Sequence, residues 1–176
     1  MRNGKRHTVA VSFGGMVGGL LGTAALEKAM KLSERLPEPL HMPSVRGDPA
    51  EAIVTRAEAL RGGPLPPRAH ARAVEVTHWL YGVAWAGALA ALARRLKMHR
   101  PGNAALAGAV MGAAAWAAGY LGWLPATGFT RGVRKEAASR TAMSFVGHVL
   151  YGIVSATPLC AAERMTLRRR RLFGVF

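Results

Sequence analysis

One cysteine cannot close a disulfide within a chain, and Cys160 stands alone among 176 residues. A zinc site built from cysteine thiolates is excluded for the same reason. Cys160 falls late in an apolar stretch, where a buried, inert thiol is the ordinary outcome. Acids are scarce as well: 9 Asp and Glu stand against 24 Lys and Arg, leaving a formal net charge of +15. The signatures of nucleophilic and metal-assisted hydrolysis are missing. There is no Gly-x-Ser-x-Gly, no His-Glu-x-x-His, and no Ser or Cys with a recognisable base pattern. These absences speak against an enzyme, and Ser144 and Ser155 read as helix-packing residues. No cofactor and no metal are expected.

What remains is an Ala- and Gly-rich chain, half hydrophobic, with its charge gathered between apolar blocks rather than spread through them. A nucleic-acid binder needs a basic face on a folded module. Here the basic residues flank apolar runs, where Lys and Arg meet anionic headgroups. Nucleic acid is therefore not an expected partner; the lipid bilayer is. Four blocks, near 8–30, 74–93, 104–124 and 142–162, each match a hydrocarbon core of about 30 Å. The first follows Arg2, Lys5 and Arg6 and so resembles a signal peptide. It is longer than a signal's apolar region and lacks an Ala-x-Ala site, so it reads as a retained span.

The expected architecture is an all-α integral membrane domain over 1–176, with four transmembrane helices arranged as two pseudo-repeated hairpins. One side would carry Arg2, Lys5 and Arg6, then Arg94, Arg95, Lys97 and Arg100, then Arg164 and the run Arg168, Arg169, Arg170, Arg171. Short basic segments beside span ends orient a membrane protein, which places both termini in the cytoplasm. The four-arginine run belongs to a basic tail over 163–176 and is the candidate contact for anionic lipid headgroups. The connection over 31–73 is rich in proline. Within it Asp48-Pro49-Ala50-Glu51 predicts a helix start, and Gly62-Gly63-Pro64 its end, so a short helix is expected near 49–61. Ala52, Ile53, Ala57 and Leu60 give it a modest apolar face, suited to the membrane surface, to capping the bundle, or to a lid. Pro101-Gly102-Asn103 reads as the turn between the second and third spans.

Two patterns point at specific residues. Gly15, Gly19, Thr23 and Glu27 recur at steps of four along the first span, with Gly14, Gly18 and Gly22 beside them. Gly108, Gly112, Trp116 and Tyr120 do the same in the third. Such small-residue stripes let another backbone come close. The second pattern is a repeat: His78-Trp79-Leu80-Tyr81-Gly82 and His148-Val149-Leu150-Tyr151-Gly152 open the second and fourth spans. In each, His, Tyr and Gly share one helix face, so Gly82 and Gly152 join the helix-packing candidates. Ionisable side chains inside apolar segments are costly and invite a functional reading. Glu27, His78, Tyr81, Tyr120, His148 and Tyr151 would gather as a polar cluster near the outer face, with Trp79, Trp116 and Trp123 as an aromatic belt.

A Gly-rich first span, a Pro-rich connection, His-Trp-x-Tyr-Gly, then Trp116 with Pro125 and Gly128, then His-x-x-Tyr-Gly: in this order the chain resembles the YagU-like family of small bacterial inner-membrane proteins. The resemblance implies a four-helical protein in the bacterial inner (plasma) membrane. It implies a link to acid tolerance for one branch, with His78 and His148 at the family's histidine positions and no catalytic role attached to them. The long basic tail departs from the family pattern. Three functions follow as expectations. The first is a structural, accessory or regulatory membrane protein whose polar cluster fixes packing or senses pH, working with a second copy or another membrane protein. The second is a proton or small-solute permeation element, since His titrates near neutral pH; against it, no polar ladder crosses the membrane centre. The third is a haem or metal site, which lacks the Glu-x-x-His pairs usual in helical bundles.

Overall fold

The computed structural model describes residues 2–41, 49–128 and 138–172. Asp48, Arg131, Arg134 and Lys135, and the side chains of Arg2, Lys5, Arg6, Arg140, Arg170 and Arg171, lie outside the described residues. Among the described residues the protein is helical, with no strand. Its elements are α1 (Arg2–Ser33), a 3₁₀ turn (Glu38–Leu40), α2 (Pro49–Arg61), α3 (Pro67–Leu92), α4 (Pro101–Ala117), a π-helical segment (Ala118–Trp123), α5 (Leu124–Ala126) and α6 (Ala138–Leu172).

The chain's punctuation explains these limits. Ser33 Oγ donates to the Met30 carbonyl (2.6 Å) in the last turn of α1, and Pro37 and Pro39 follow too soon for the helix to continue. Gly62 ends α2 at a positive φ of 86°. Its N–H bonds the Ala59 carbonyl and that of Gly63 bonds the Glu58 carbonyl, which is the Schellman pattern. Pro67 and Pro101 each sit in the first turn of their helices, where the missing N–H costs nothing. The expected turn at Pro101-Gly102-Asn103 is thus the beginning of α4. The reversal occurs earlier, over 93–100, where Lys97 takes a left-handed φ of 51° and Met98 is fully buried. Asn103 Nδ2 donates back to the Leu96 carbonyl and holds this turn.

Three helices are long and apolar enough to cross a membrane: Thr8–Ser33, Pro101–Ala126 and Thr141–Arg169. Four were expected. The missing one is α3, whose 26 residues suffice in length but whose apolar stretch is diluted by Glu75, Thr77, His78, Trp79 and Tyr81. The described part of the basic tail continues α6, which runs to Leu172. Pro158 inside α6 cannot donate to Val154, and the Thr157 hydroxyl donates to that carbonyl instead (2.8 Å).

The helices pack in the order α4, α6, α1, α3, with α2 on the outside of α3. Glycine sets this order. Gly14, Gly18 and Gly22 of α1 lie on α6 at Pro158, Ser155 and Tyr151, and a Cβ at Gly18 would overlap the Ser155 carbonyl. Gly15 and Gly19, on the neighbouring face, lie on Ala90 and Val83 of α3. Gly108 and Gly112 of α4 meet the backbone of Gly152 and His148. A pseudo-twofold relating the two hairpins would demand that α3 meet α4 as closely as α1 meets α6, and it does not. The cause is the second glycine face of α1, which has no counterpart in α4.

Neighbouring long helices are antiparallel. One end of the molecule therefore holds the start of α1, the 93–100 turn and the end of α6, where Arg164 Nε donates to the His99 carbonyl (2.9 Å). The other end holds Glu27, His78, Tyr120 and α2.

α2 rests on α3 through Ala50 and Val54, which join Val74 in a small core of their own. The apolar face expected for α2 is only partly the one used: Ala52 is buried, whereas Ile53 and Leu60 stay exposed.

Candidate functional site

The six residues expected to form one polar cluster lie toward one end of the bundle but divide into separate contacts. Glu27 near the end of α1 and His78 on α3 face each other, with Oε1 and Nε2 4.0 Å apart. At that separation the interaction is electrostatic rather than a formed hydrogen bond. On the far side of α6, Tyr120 meets His148 edge to face with ring centroids 5.8 Å apart. His148 Nδ1 donates to the Ser144 carbonyl of its own helix (2.9 Å). Tyr81 instead packs edge-on against Trp85, one turn along α3.

Tyr151 connects the two sides. It is 4% exposed, lies against Gly22 of α1, and donates its hydroxyl to the backbone carbonyl of Gly82 on α3. That carbonyl is reachable because Gly82 carries no side chain and Gly22 lets the ring pass. Thr23, buried on α1, fills the space over Gly82 from the other direction. All six packing glycines read from the sequence thus sit at helix contacts: Gly15 and Gly19 on α3, Gly82 on α1, and Gly108, Gly112 and Gly152 between α4 and α6.

Trp116 was read as part of an aromatic belt, whereas Phe145, the π-helical segment and Glu163 were not singled out from the sequence. Trp116 stacks on Tyr120 (5.8 Å) and meets Phe145 edge to face (5.3 Å), so the α4–α6 side is an aromatic group with His148 at its edge. The π-helical segment places Tyr120 there. Gly122 departs from helical geometry (φ −102°, ψ −105°) within it, and such extra-residue turns recur at functional sites. Gly119 and Gly122 were the available signal, but two glycines in a Gly-rich span do not announce a π turn. Glu163, 4% exposed in α6, was read only as part of the tail.

A second polar contact lies outside the apolar helices. His70 Nδ1 on the first turn of α3 is 2.8 Å from Glu58 Oε1 on α2. The same oxygen accepts the Leu65 N–H (3.0 Å). The His70 hydrogen bond, and then the Leu65 N–H, hold the Glu58 carboxyl below its ordinary value of 4.5.

Among the described residues no group of three or more His, Cys, Asp or Glu side chains is placed to hold a metal ion. Of the arginine run, Arg168 and Arg169 are exposed on the last turn of α6. The helices so arranged define a membrane-type α-helical domain in which Ser33, His148, Thr157 and Thr166 bond carbonyls of their own helices and Tyr151 bonds across to α3. No family model, curated protein or solved structure matches the chain.

Proposed function

We propose that this chain is a multi-pass protein of the bacterial inner membrane with a structural, accessory or regulatory role, in keeping with its resemblance to the YagU-like family. In this reading α3 is a fourth crossing helix and both termini are cytoplasmic. Exposed Val76 (52%) and Leu80 (63%) support the crossing, because large apolar side chains in that position suit lipid. The observation that carries the role is the bond from Tyr151 to the Gly82 carbonyl. A buried hydroxyl spent on a neighbouring backbone fixes the register of α6 against α3 and is not left for a substrate.

A second reading, proton permeation, is favoured by Glu27 facing His78 at one end and by buried Thr23 and Ser155 farther in. Between Ser155 and Glu163 the inward-facing residues are Ala156, Leu159, Cys160 and Ala162, an apolar gap of about 12 Å. The deciding experiment is proton flux into vesicles reconstituted with wild type and with His78→Ala/His148→Ala. The proposal expects no flux from either and a lower unfolding temperature for the double variant. Wild-type flux that vanishes in the double variant would overturn it in favour of permeation. Topology is tested by single cysteines at Asn3 and Gly63 in a Cys160→Ser background. Labelling of residue 63 alone by an impermeant maleimide in intact cells is expected, and labelling of residue 3 would contradict it.

A further inference from the structure

A cavity of about 320 Å³ opens between α1 and α3 at the end of the molecule that holds the termini. Buried Val11 and Ala90 form its apolar floor, exposed Gly87 and Ala91 line it, and exposed Thr8, Ser12 and Arg94 stand at its rim. The hollow exists because α3 presents Gly87 at this point. A Cβ built there meets nothing within 4 Å, unlike the glycines that seat neighbouring helices.

Position narrows the ligand. Thr8 is the first residue of the apolar stretch of α1, so the cavity rim stands at the level where hydrocarbon gives way to headgroups. Arg94 follows the end of α3 and is succeeded by Arg95 and Lys97, both exposed. Among the described residues no carboxylate pairs with Arg94. A guanidinium that lines the same cavity as the Ser12 hydroxyl is suited to a phosphate, which takes parallel charge-assisted hydrogen bonds from Arg. An apolar floor running toward the membrane interior suits an acyl chain and not a free anion.

We infer that this cavity binds one anionic phospholipid, its phosphate on Arg94 and Ser12 and the first carbons of an acyl chain over Gly87. The inference rests on the membrane reading above and gives it a specific lipid site, separate from the arginines at the end of α6. Binding to a single shaped site differs from general attraction of a basic surface to an anionic leaflet, and the difference is measurable.

The test uses the full chain in neutral detergent, titrated with dioctanoyl phosphatidic acid and with dioctanoyl phosphatidylcholine. Wild type is expected to bind the phosphatidic acid at least tenfold more tightly than the phosphatidylcholine. Arg94→Gln is expected to weaken the phosphatidic acid at least tenfold. Arg95→Gln, the same charge change one residue away and off the cavity, is expected to weaken it no more than twofold. Gly87→Leu fills the cavity without touching any charge and is expected to weaken it at least tenfold. Ala91→Trp does the same from the cavity's side. Equal effects of Arg94→Gln and Arg95→Gln would overturn the inference, as would wild-type binding by both cavity-filling variants. Competition by millimolar inorganic phosphate would also overturn it, by assigning the site to a free anion. Flotation of the wild type with phosphatidylcholine–phosphatidylglycerol vesicles is read separately. A chain that does not float contradicts the membrane reading, whereas one that floats but fails the titration contradicts only the lipid site.

Discussion

Tyr81 and Tyr151 occupy the same place in the same five-residue motif, yet Tyr151 is buried between three helices and Tyr81 packs along its own. The glycines that follow differ in the same way. Gly152 lies against the backbone of Gly108, while Gly82 lies under the Thr23 side chain. The motif is local and the environments are not. α6 stands between two helices that both offer glycine, so its motif is enclosed on both sides. α3 meets one such helix and turns its other face outward. What a His-x-Leu-Tyr-Gly segment does is therefore set by how many small-residue faces approach it.

The largest expected contrast is between the two glycines. Gly152→Ala pushes a methyl into a neighbouring backbone that cannot yield without separating α4 from α6, and should destabilise the protein by about 3 kcal/mol. Gly82→Ala meets the Thr23 hydroxyl rather than a backbone and disturbs the Tyr151 bond to the Gly82 carbonyl, and should cost less, about 1–2 kcal/mol. Reversible unfolding in mixed micelles compares them, and equal losses would break the contrast. The tyrosines come next. Tyr151→Phe deletes the hydroxyl that reaches Gly82 and should cost about 1 kcal/mol, whereas Tyr81→Phe should leave the unfolding midpoint unchanged. A smaller effect separates the histidines. His148→Ala removes both the bond to Ser144 and the ring contact with Tyr120, and should lower the midpoint more than His78→Ala, which loosens the 4.0 Å pairing with Glu27.

The smallest effect belongs to the α2 contact. The Glu58 carboxyl is held below 4.5 by His70 and Leu65. The carboxylate therefore favours docking of α2 at pH above 4.5, and that contribution is lost as pH falls through the lowered value. Hydrogen exchange in α2 should stay slow from pH 7 down to about pH 5 and accelerate, after correction for intrinsic rates, below that. Glu58→Gln should remove the pH dependence, and a pH profile unchanged by that substitution would assign it elsewhere.

Much of the helical layout is legible in the sequence because apolar blocks and proline–glycine punctuation act locally. The apolar stretches of α1, α4 and α6 and the Gly62-Gly63 end of α2 are of this kind. Partnership is less legible. The glycines of α1 form two adjacent stripes, and nothing local says that Gly14, Gly18 and Gly22 take α6 while Gly15 and Gly19 take α3. The split of the polar cluster follows from that choice, since α1 stands between Glu27's partner on α3 and the aromatic group of α4 and α6. The π turn at Tyr120 is hidden for another reason. It depends on one extra residue absorbed in a helix, to which four-residue periodicity is blind.

The most direct measurement places the same substitution at three glycines and compares unfolding free energies in one detergent: Gly18→Ala, Gly112→Ala and Gly87→Ala. The first two meet the carbonyls of Ser155 and His148 on opposite sides of α6, and the third meets open space. If α6 is held by backbone approach on both sides, the first two lose about 2–3 kcal/mol each and Gly87→Ala is neutral or slightly stabilising through its better helix propensity. Three equal changes would contradict that arrangement, because alanine would then be indifferent to the contacts that place α6 between α1 and α4.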